Sequence, residues 1–346
     1  MVCSSLLNVY FCDVKIHNTY IKRCIALAKN GLPAAMPNPS VGAVLVHNDT
    51  IIAEGYTSAY GGPHAEVNCI AFAKANTPEL IAKSTLYVSL EPCSHWGKTP
   101  PCADLVIDSG IKRVVIGTID PFAKVAGAGI KKLMQAGVDV TVGVLDKECQ
   151  DVNKRFFTYH NEKRPFIILK WAETANGFIA PATRDKQEPV WITNSHSRQL
   201  VHKLRSEEMG ILVGGKTVIE DNPTLTTRDW HGSNPTRIVI DTQGNLSKEL
   251  HIFNNEAPTI VLNDSDPKSI CKELFEHNIQ SVIVEGGAAT LQGFIDTALW
   301  DEARVFTGLT NFNAGIKAPK KTSQFTLQSS QHIQGDRLDT YTRSDS

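Results

Sequence analysis

The residues of this chain that are best suited to chemistry lie in two short segments. His64 and Glu66 lie in the first, and the second runs from Cys93 to Cys102. One imidazole and two thiolates occupy three corners of a tetrahedral zinc site and leave the fourth for water, as in hydrolytic rather than structural zinc centres. Glu66 lies outside this ligand set, so we expect it to transfer protons.

Each thiol follows a proline, Pro92 or Pro101, at a predicted helix start. Free backbone amides and the positive end of a helix dipole favour the thiolate there, and zinc deprotonates a thiol outright. Such a centre lowers the pKa of water toward about 7. Taken separately, the His64–Glu66 pair is typical of an exposed helix start. Two cysteines alone are more typical of a hydrophobic core than of a metal site. Their joint order favours a metal site.

The order His-x-Glu, Pro-Cys and Cys resembles the signature of zinc nucleoside deaminases. The spacing differs, because eight residues rather than two separate Cys93 from Cys102. The intervening Ser-His-Trp-Gly-Lys-Thr-Pro-Pro resembles one branch, the bifunctional riboflavin-biosynthesis deaminase–reductases. The resemblance covers residues from about 15 to 310 and continues in the second half through Ile168-Leu169-Lys170-Trp171-Ala172, Trp191-Ile192-Thr193, His202-Lys203-Leu204-Arg205, 211–228 and Val284-Glu285-Gly286-Gly287.

The resemblance implies a cytidine-deaminase-like α/β/α domain with Zn²⁺, followed by a dihydrofolate-reductase-like α/β domain that uses NADPH. The first would hydrolytically deaminate 2,5-diamino-6-(5-phosphoribosylamino)pyrimidin-4(3H)-one. The second would reduce the ribosyl group of 5-amino-6-(5-phosphoribosylamino)uracil to a ribityl chain. We expect a poorly ordered extension over 1–14, the deaminase over 15–150, a helical connector over 151–165 and the reductase over 166–346.

The resemblance also implies roles for individual residues. It assigns zinc to His64, Cys93 and Cys102, and catalysis to Glu66, Lys170 and Glu285. The NADPH contacts are Ala172, Trp191, Thr217, Asp221, Thr242, Gly286 and Gly287. The substrate contacts are Asn38, His95, Lys98, Arg205, Leu225, Arg228 and Glu285.

The residue types alone leave alternatives open at several of these positions. His95 is compatible with a metal ligand, a substrate contact or a loop histidine, and Lys98 with a phosphate contact or a solvated side chain. Asn38, between two prolines, also suits a simple turn. Two arginines suit a phosphate because guanidinium binds oxyanions in bidentate fashion, although both positions also suit surface arginines. Lys170 on a predicted inner strand is costly unless it is functional or reaches an edge.

The glycines Gly286 and Gly287 follow a predicted strand and precede a helix, where backbone amides can approach phosphate. The G-x-G-x-x-G pattern of a Rossmann site is absent from the sequence. One position departs from the family, because Thr174-Ala175-Asn176-Gly177 stands where Ser-Leu-Asp-Gly is common. Asparagine keeps the turn geometry and loses the charge, so we expect Asn176 to shape the turn. Residues 311–319 also depart from the family's glycine-rich ending.

Composition limits the function classes. The chain has 346 residues, which suits two domains, and a formal net charge of −1, which argues against a DNA or RNA substrate. The apolar run within 1–13 is a poor signal peptide, and no stretch is long enough to span a membrane. The eight cysteines lack compact disulfide spacing, which indicates a reducing cytoplasm. We therefore expect a small phosphorylated pyrimidine as substrate and no nucleic-acid or membrane partner, and leave homo-oligomerisation open.

The elements that must position these residues alternate between helix and strand. Asn48-Asp49 is a predicted hairpin turn. Predicted helices span 16–30, 64–75, 102–109, 129–136, 195–206, 267–277 and 290–298. Predicted strands span 41–46, 51–55, 86–90, 114–117, 138–142, 166–172, 210–214, 237–240, 259–262, 281–285 and 303–306.

Three other functions compete with the bifunctional interpretation. One is a zinc deaminase with a degenerate reductase domain, for which Asn176 is the relevant sequence feature. A second is a transfer-RNA-editing deaminase, which the near-neutral charge and the long Cys93–Cys102 loop disfavour. A third is a zinc-binding module without catalysis, which a Glu66 substitution would distinguish.

Overall fold

The computed structural model describes residues 3–96, 100–122, 126–183 and 187–344, with side chains from residue 15 onward. The chain divides into two compact units, Met1–Asn161 and Glu162–Ser346. The division falls inside the segment 151–165 that the sequence predicts as a connector. Among the described residues, no helix is both long enough and apolar enough to cross a membrane.

The first unit is a five-stranded sheet with helices on both faces. Its helices are α1 Cys3–Ala28, α2 Ala65–Asn76, α3 Cys102–Asp108, α4 Ala128–Gln135, α5 Asp146–Val152 and α6 Lys154–Glu162. Its strands are β1 Gly42–His47, β2 Thr50–Tyr56, β3 Thr85–Leu90, β4 Arg113–Thr118 and β5 Asp139–Val142, in the order β2-β1-β3-β4-β5. The strands β3, β4 and β5 are parallel, while β1 runs antiparallel to both β2 and β3.

Alternation along β1 divides the core of this unit between the two faces of the sheet. Ala43 and Leu45 pack in one apolar cluster with residues of α2 and α3. Val44 and Val46 pack in the other with residues of α1 and α5. Every one of these four β1 side chains is buried. The predicted α/β/α class of the first domain is therefore confirmed.

The hairpin between β1 and β2 has the predicted two-residue turn. Asn48 and Asp49 both have positive φ, 45° and 58°. A type I′ turn requires this of both central residues, and asparagine and aspartate tolerate it. His47 pairs with Thr50 directly across the turn.

Three sequence predictions in this unit differ from the structure. Helix α1 begins at Cys3 rather than at residue 16, so most of the predicted extension over 1–14 is its first half. No helix begins at Cys93, because residues 91–94 are irregular and only Cys102 starts a helix. Most of α6 lies in the first unit, although the sequence assigned it to a connector.

The second unit is built on an eight-stranded sheet of order β10-β9-β8-β11-β6-β12-β15-β14. Its helices are α7 Ser195–Glu207, α8 Gly215–Asp221, α9 Pro267–Glu276 and α10 Ala288–Asp296. Its strands are β6 Phe166–Glu173, β7 Phe178–Pro181, β8 Gly210–Gly214, β9 Thr236–Ile240, β10 Thr259–Leu262, β11 Ser281–Val284, β12 Glu302–Thr307, β13 Gly315–Lys317, β14 Phe325–Ile333 and β15 Asp336–Arg343.

Six strands of this sheet, from β10 to β12 in spatial order, are parallel, so their carboxyl ends lie along one edge. Open parallel sheets bind ligands at that edge. Apolar clusters cover both faces, one including residues of α9 and α10 and the other residues of α7 and α8. The α/β class of the second domain is confirmed, but the sequence did not predict α8, β7, β13, β14 or β15.

Candidate functional site

The ligand atoms of His64, Cys93 and Cys102 converge in the first unit. His64 Nδ1 lies 3.7 Å from Cys93 Sγ and 3.3 Å from Cys102 Sγ, and all three ligand atoms lie within 4.8 Å of one another. Tetrahedral zinc with ordinary Zn–N and Zn–S bond lengths holds nitrogen and sulfur about 3.5 Å apart. The donor set and its spacing therefore fit Zn²⁺.

The sequence brings these ligands together from two helix starts and one strand end. His64 is the residue before α2, and Cys102 is the first residue of α3. Cys93 follows β3, and the backbone N–H of Cys102 donates a hydrogen bond to its Sγ over 3.3 Å. The amide that stabilises the Cys93 thiolate thus comes from α3 and not from a helix of its own.

The charges of this cluster are strongly coupled. The side-chain hydrogen bond with Cys102, opposed by burial and aided by His64, lowers the pKa of the Cys93 thiol. The same hydrogen bond and burial raise the pKa of Cys102. A lowered thiol pKa favours zinc binding, because the thiolate is the form that ligates the metal.

Glu66 is the second residue of α2 and is 3% exposed. Burial and the charge of Cys93 raise the pKa of Glu66 to about 7, against the opposing effect of His64. A buried carboxyl group beside the zinc ligands, and outside their set, is suited to accept and return a proton.

Glu91 is a residue of the site that the sequence interpretation missed. Its buried carboxylate accepts backbone N–H groups from Asp120 (3.3 Å), Gly127 (2.9 Å), Gly129 (2.9 Å) and Ile130 (3.3 Å). Glu91 therefore fixes the start of α4 beside the Cys93 loop. Its position before Pro-Cys was visible in the sequence, but its partners are distant along the chain.

The predicted deaminase substrate contacts have different surroundings. Asn38 is half-buried, and two residues later Ser40 exchanges two 2.8 Å hydrogen bonds with the side chain of Asn153, which fixes the loop. His95 is exposed, with its ring 6.1 Å from that of Phe122, and does not belong to the three-residue ligand cluster. Lys98 lies outside the described residues.

The second unit holds a buried cluster of charges at the end of β11. Glu285 accepts hydrogen bonds from Arg205 Nη2 (2.8 Å) and Nε (3.4 Å), and its Oε1 lies 3.9 Å from Lys170 Nζ. Burial would raise the pKa of Glu285, but the charges of Arg205 and Lys170 outweigh it and lower the pKa to about 2. Burial is also the main cause that lowers the pKa of Lys170. The structure thus brings together three residues to which the sequence gave catalytic or substrate roles.

The loop between α8 and β9 carries the other two predicted substrate contacts. Leu225 is buried and has a positive φ of 55°, which is strained for a leucine. The exposed Arg228 donates from Nη1 to Thr224 Oγ1 over 3.1 Å. Arg205 Nη1 donates to the Thr226 carbonyl over 3.2 Å, so α7 holds this loop.

Two glycine-containing loops follow the adjacent strands β8 and β11. A Cβ atom on Gly286 would lie 2.5 Å from Val213 Cα, so only glycine lets the loop after β11 approach strand β8 so closely. Gly287 has a φ of 62°, and a Cβ there would lie 3.4 Å from Thr217 Oγ1. Backbone amides at a helix start in such a cradle suit the phosphates of NADPH.

Two of the remaining predicted NADPH contacts, Ala172 and Thr242, lie at the carboxyl edge of the sheet. Ala172 lies near the end of β6, and Thr242 follows β9 by two residues. Asp221 is the last residue of α8. Trp191 is 54% exposed, and the Arg198 guanidinium lies 4.7 Å from the centre of its ring.

Asn176 has a contact that explains its departure from the family pattern. Its Nδ2 donates to the Phe312 carbonyl over 2.7 Å, and its Oδ1 accepts from Thr174 Oγ1 over 2.7 Å. An aspartate could accept the second bond but could not donate the first. The expected turn role of Asn176 is therefore supported by a donor that only the amide provides.

Comparison with known proteins gives two adjacent family matches. Residues 14–118 match the cytidine and deoxycytidylate deaminase zinc-binding region, and residues 165–308 match the RibD C-terminal domain. The first match includes His64, Glu66, Cys93 and Cys102, and the second includes Lys170, Arg205 and Glu285.

Full-length relatives cover both matches. The riboflavin biosynthesis protein RibD of Aquifex aeolicus is 40% identical over 84% of this chain and 86% of its own length, and that of Synechocystis is 34% identical over 90% and 89%. A crystal structure from Thermotoga maritima, described as a diaminohydroxyphosphoribosylaminopyrimidine deaminase/5-amino-6-(5-phosphoribosylamino)uracil reductase, is 37% identical, with a TM-score of 0.85 over 96% of this chain and 100% of that one. Acinetobacter baumannii RibD, at 27% identity, covers the same shares with a TM-score of 0.85.

Proposed function

Because this chain belongs to the RibD family, whose members join a deaminase to a reductase in riboflavin biosynthesis, we propose which of its residues perform each reaction. The protein is a bifunctional enzyme that uses zinc in its first domain and NADPH in its second. Its first substrate is 2,5-diamino-6-(5-phosphoribosylamino)pyrimidin-4(3H)-one, and the deaminated product is the substrate of the second reaction.

In the first reaction a water molecule replaces a ring amine. A C–O bond forms, the C–N bond breaks, and ammonia leaves with a proton from the water. His64, Cys93 and Cys102 would hold the zinc, which would supply Lewis acidity and a nucleophilic water near neutral pH.

Glu66 is the proton carrier of this reaction. Its carboxylate takes the proton of the attacking water and returns it to the departing nitrogen. Its burial excludes bulk water as a competing proton source, and its position at the start of α2 keeps it two residues from His64, within the same helical turn. Asn38, His95 and Lys98 are assigned to the substrate, and the positive charge of a lysine suits its phosphate.

In the second reaction the ribosyl group gains a hydride and a proton. NADPH would supply the hydride, and the residues that would hold this cofactor are Ala172, Trp191, Thr217, Asp221, Thr242, Gly286 and Gly287. Lys170 delivers the proton from Nζ, and its pKa, which burial lowers, makes that proton easier to release. Glu285 and Arg205 orient Lys170 and the sugar hydroxyls, while Arg228 and Leu225 complete the substrate site.

The charge cluster of Lys170, Glu285 and Arg205 also argues against a degenerate reductase. Three buried charged groups that bind one another carry a desolvation cost with little benefit to stability. A domain without activity would have no reason to keep them, whereas a sugar site uses their charges.

Further assignments follow from the same residues. The deaminase includes 15–150 and the reductase 166–346, in line with family matches over 14–118 and 165–308, and most of the segment 151–165 between them lies in the first unit. A cytoplasmic location suits zinc ligands that must remain reduced thiols. The net charge of −1 and the small substrate argue against nucleic-acid or membrane partners, and self-association is compatible with this proposal.

The observation that carries this proposal is the triangle of His64, Cys93 and Cys102 beside the buried Glu66. The test is mass spectrometry of the diaminopyrimidinone phosphate after incubation with the zinc-loaded chain, first alone and then with NADPH. We expect the deaminated uracil in the first case and its ribityl derivative in the second. Unchanged substrate in the first case, or no ribityl product in the second, would contradict it.

A further inference from the structure

His202 binds the loop between α8 and β9, which carries Leu225 and Arg228, but it has no assigned role in either reaction. It lies on α7 four residues after Arg198 and three before Arg205, so the three side chains share one face of the helix. His202 Nδ1 lies 3.2 Å from the backbone nitrogen of Arg228, and Arg198 Nε lies 3.0 Å from Asp229 Oδ2.

The tautomer of His202 follows from these contacts. A backbone N–H can only donate, so Nδ1 must be unprotonated to accept it. The ring proton then resides on Nε2, which lies 3.6 Å from Asp229 Oδ2. The side chain is 2% exposed, and burial together with the charges of Arg205 and Arg228 lowers the pKa of His202 to about 4, against the opposing charges of Asp229 and Glu285. The ring is therefore neutral near pH 7.

The loop that His202 holds needs such support. Leu225 adopts a left-handed φ of 55° within it, a conformation that persists only where neighbouring contacts impose it. The guanidinium of Arg228 is exposed and makes one hydrogen bond within the described residues, to Thr224 Oγ1. Most of its N–H donors are thus available to a ligand. The direction in which these N–H donors point depends on the conformation of the Arg228 backbone.

We propose that His202 is a positioning residue, whose Nδ1 fixes the backbone of Arg228 so that its guanidinium meets the phosphate of the reductase substrate. This inference rests on the assignment of Arg228 to the substrate under the proposed function. Bidentate arginine–phosphate contacts require a defined orientation, so a displaced backbone weakens phosphate binding and leaves the chemistry of Lys170 unchanged.

Two substitutions test the contacts of the two ring nitrogens of His202 one at a time. In His202→Asn, Oδ1 lies near the former Nδ1 and can still accept the Arg228 N–H. In His202→Gln, the amide lies near the former Nε2, so the contact with Asp229 is kept and the acceptor for Arg228 is lost. The measurements are KM and kcat for the deaminated substrate and for its dephosphorylated analogue, with the Kd of NADPH as a check on folding.

We expect His202→Gln to raise KM for the phosphorylated substrate about tenfold, with kcat within about twofold and no change in KM for the dephosphorylated analogue. His202→Asn, in contrast, should keep most of the affinity of the unaltered chain for the phosphorylated substrate. An unchanged KM in His202→Gln, an equal rise for both substrates, or no rescue by His202→Asn would overturn the proposal.

The Arg228→Ala variant shows whether a failed prediction refutes the role of His202 or the assignment of Arg228 to the substrate. If Arg228→Ala raises KM for the phosphorylated substrate and His202→Gln does not, the role of His202 is refuted and that of Arg228 stands. If Arg228→Ala leaves KM unchanged, the assignment of Arg228 fails.

A measurement on the unaltered chain covers the case in which a variant does not fold. Nitrogen-15 NMR of the histidine rings should report His202 with unprotonated Nδ1 and protonated Nε2 at pH 7. A protonated Nδ1 would overturn the proposal.

Discussion

Lys170 Nζ lies 3.9 Å from Glu285 Oε1, and the two side chains are only 13% and 9% exposed. The pair connects β6 to the end of β11, which are neighbouring parallel strands. Arg205 binds the same carboxylate, so Glu285 remains paired if Lys170 is removed. Lys170 is therefore the member of this cluster that can be changed with the smallest effect on folding.

Lys170→Met should lower kcat for the reduction by about 100-fold or more, because the proton donor is lost. NADPH affinity should stay within about threefold, since the glycine loops are untouched. Stopped-flow NADPH oxidation and fluorescence titration measure the two quantities. Lys268→Met, at an exposed position on α9, is the matched control. A reduction rate equal to that of the unaltered chain would remove Lys170 from the mechanism.

Cys102→Ala should abolish stoichiometric zinc binding, since three protein ligands become two. Cys69→Ala is a matched control, because Cys69 is equally buried in the same domain and lies outside the ligand cluster. Metal analysis of the purified proteins should find about one zinc per chain in the control and almost none in Cys102→Ala. Full zinc content in Cys102→Ala would contradict the ligand assignment.

Asn176→Asp should destabilise the reductase domain without improving its activity. The carboxylate cannot donate to the Phe312 carbonyl and would face it instead, at a cost of about 1 kcal/mol. Thermal unfolding should give a lower Tm than Asn311→Asp, an exposed control nearby. A higher reduction rate in Asn176→Asp would show that the family's acid serves chemistry and that this chain lacks it.

The lowered pKa of His202 should make the stability of the folded chain depend on pH. The His202 pKa is about 4 in the folded chain and about 6.5 in an unfolded one, so the unfolded state binds more protons between these values. Stability therefore falls as the pH drops from about 6.5 to 4.

The comparison is the free energy of unfolding at pH 7 and pH 5 for the unaltered chain and for His202→Asn, which does not titrate. We expect the unaltered chain to lose about 1 kcal/mol more than the variant over this interval, after allowance for solvent screening. Equal losses in the two proteins would show that His202 is not held neutral by the fold.

Much of the fold was predictable because local signals agreed with it. Asn48 and Asp49 have the residue types that a two-residue hairpin needs, and the buried strand β11 contains the uninterrupted apolar run Val282-Ile283-Val284. The ligands of the zinc site were predictable from residue type and order. Their convergence required only that one strand end and two helix starts meet.

The rest depended on contacts between residues far apart in sequence. Most side chains of β14 are exposed, so the strand lacks the apolar alternation that identifies β structure. Cys93 takes its stabilising amide from Cys102 at the start of another element, which a proline–cysteine pair does not reveal. Glu91 likewise accepts the backbone N–H of Gly129, and His202 accepts that of Arg228. The sequence does not indicate these contacts, because every residue except proline has a backbone N–H.

The most direct test of the central claim, that one chain holds two active sites, is Glu66→Gln assayed for both reactions. Ammonia release should fall by about 1,000-fold because the proton carrier is lost, with zinc content unchanged. NADPH oxidation with the deaminated substrate should continue at the rate of the unaltered chain. Glu79→Gln, at an exposed position, is the control for the same chemical change. Deamination at the original rate in Glu66→Gln, or no NADPH oxidation by the unaltered chain, would contradict the claim.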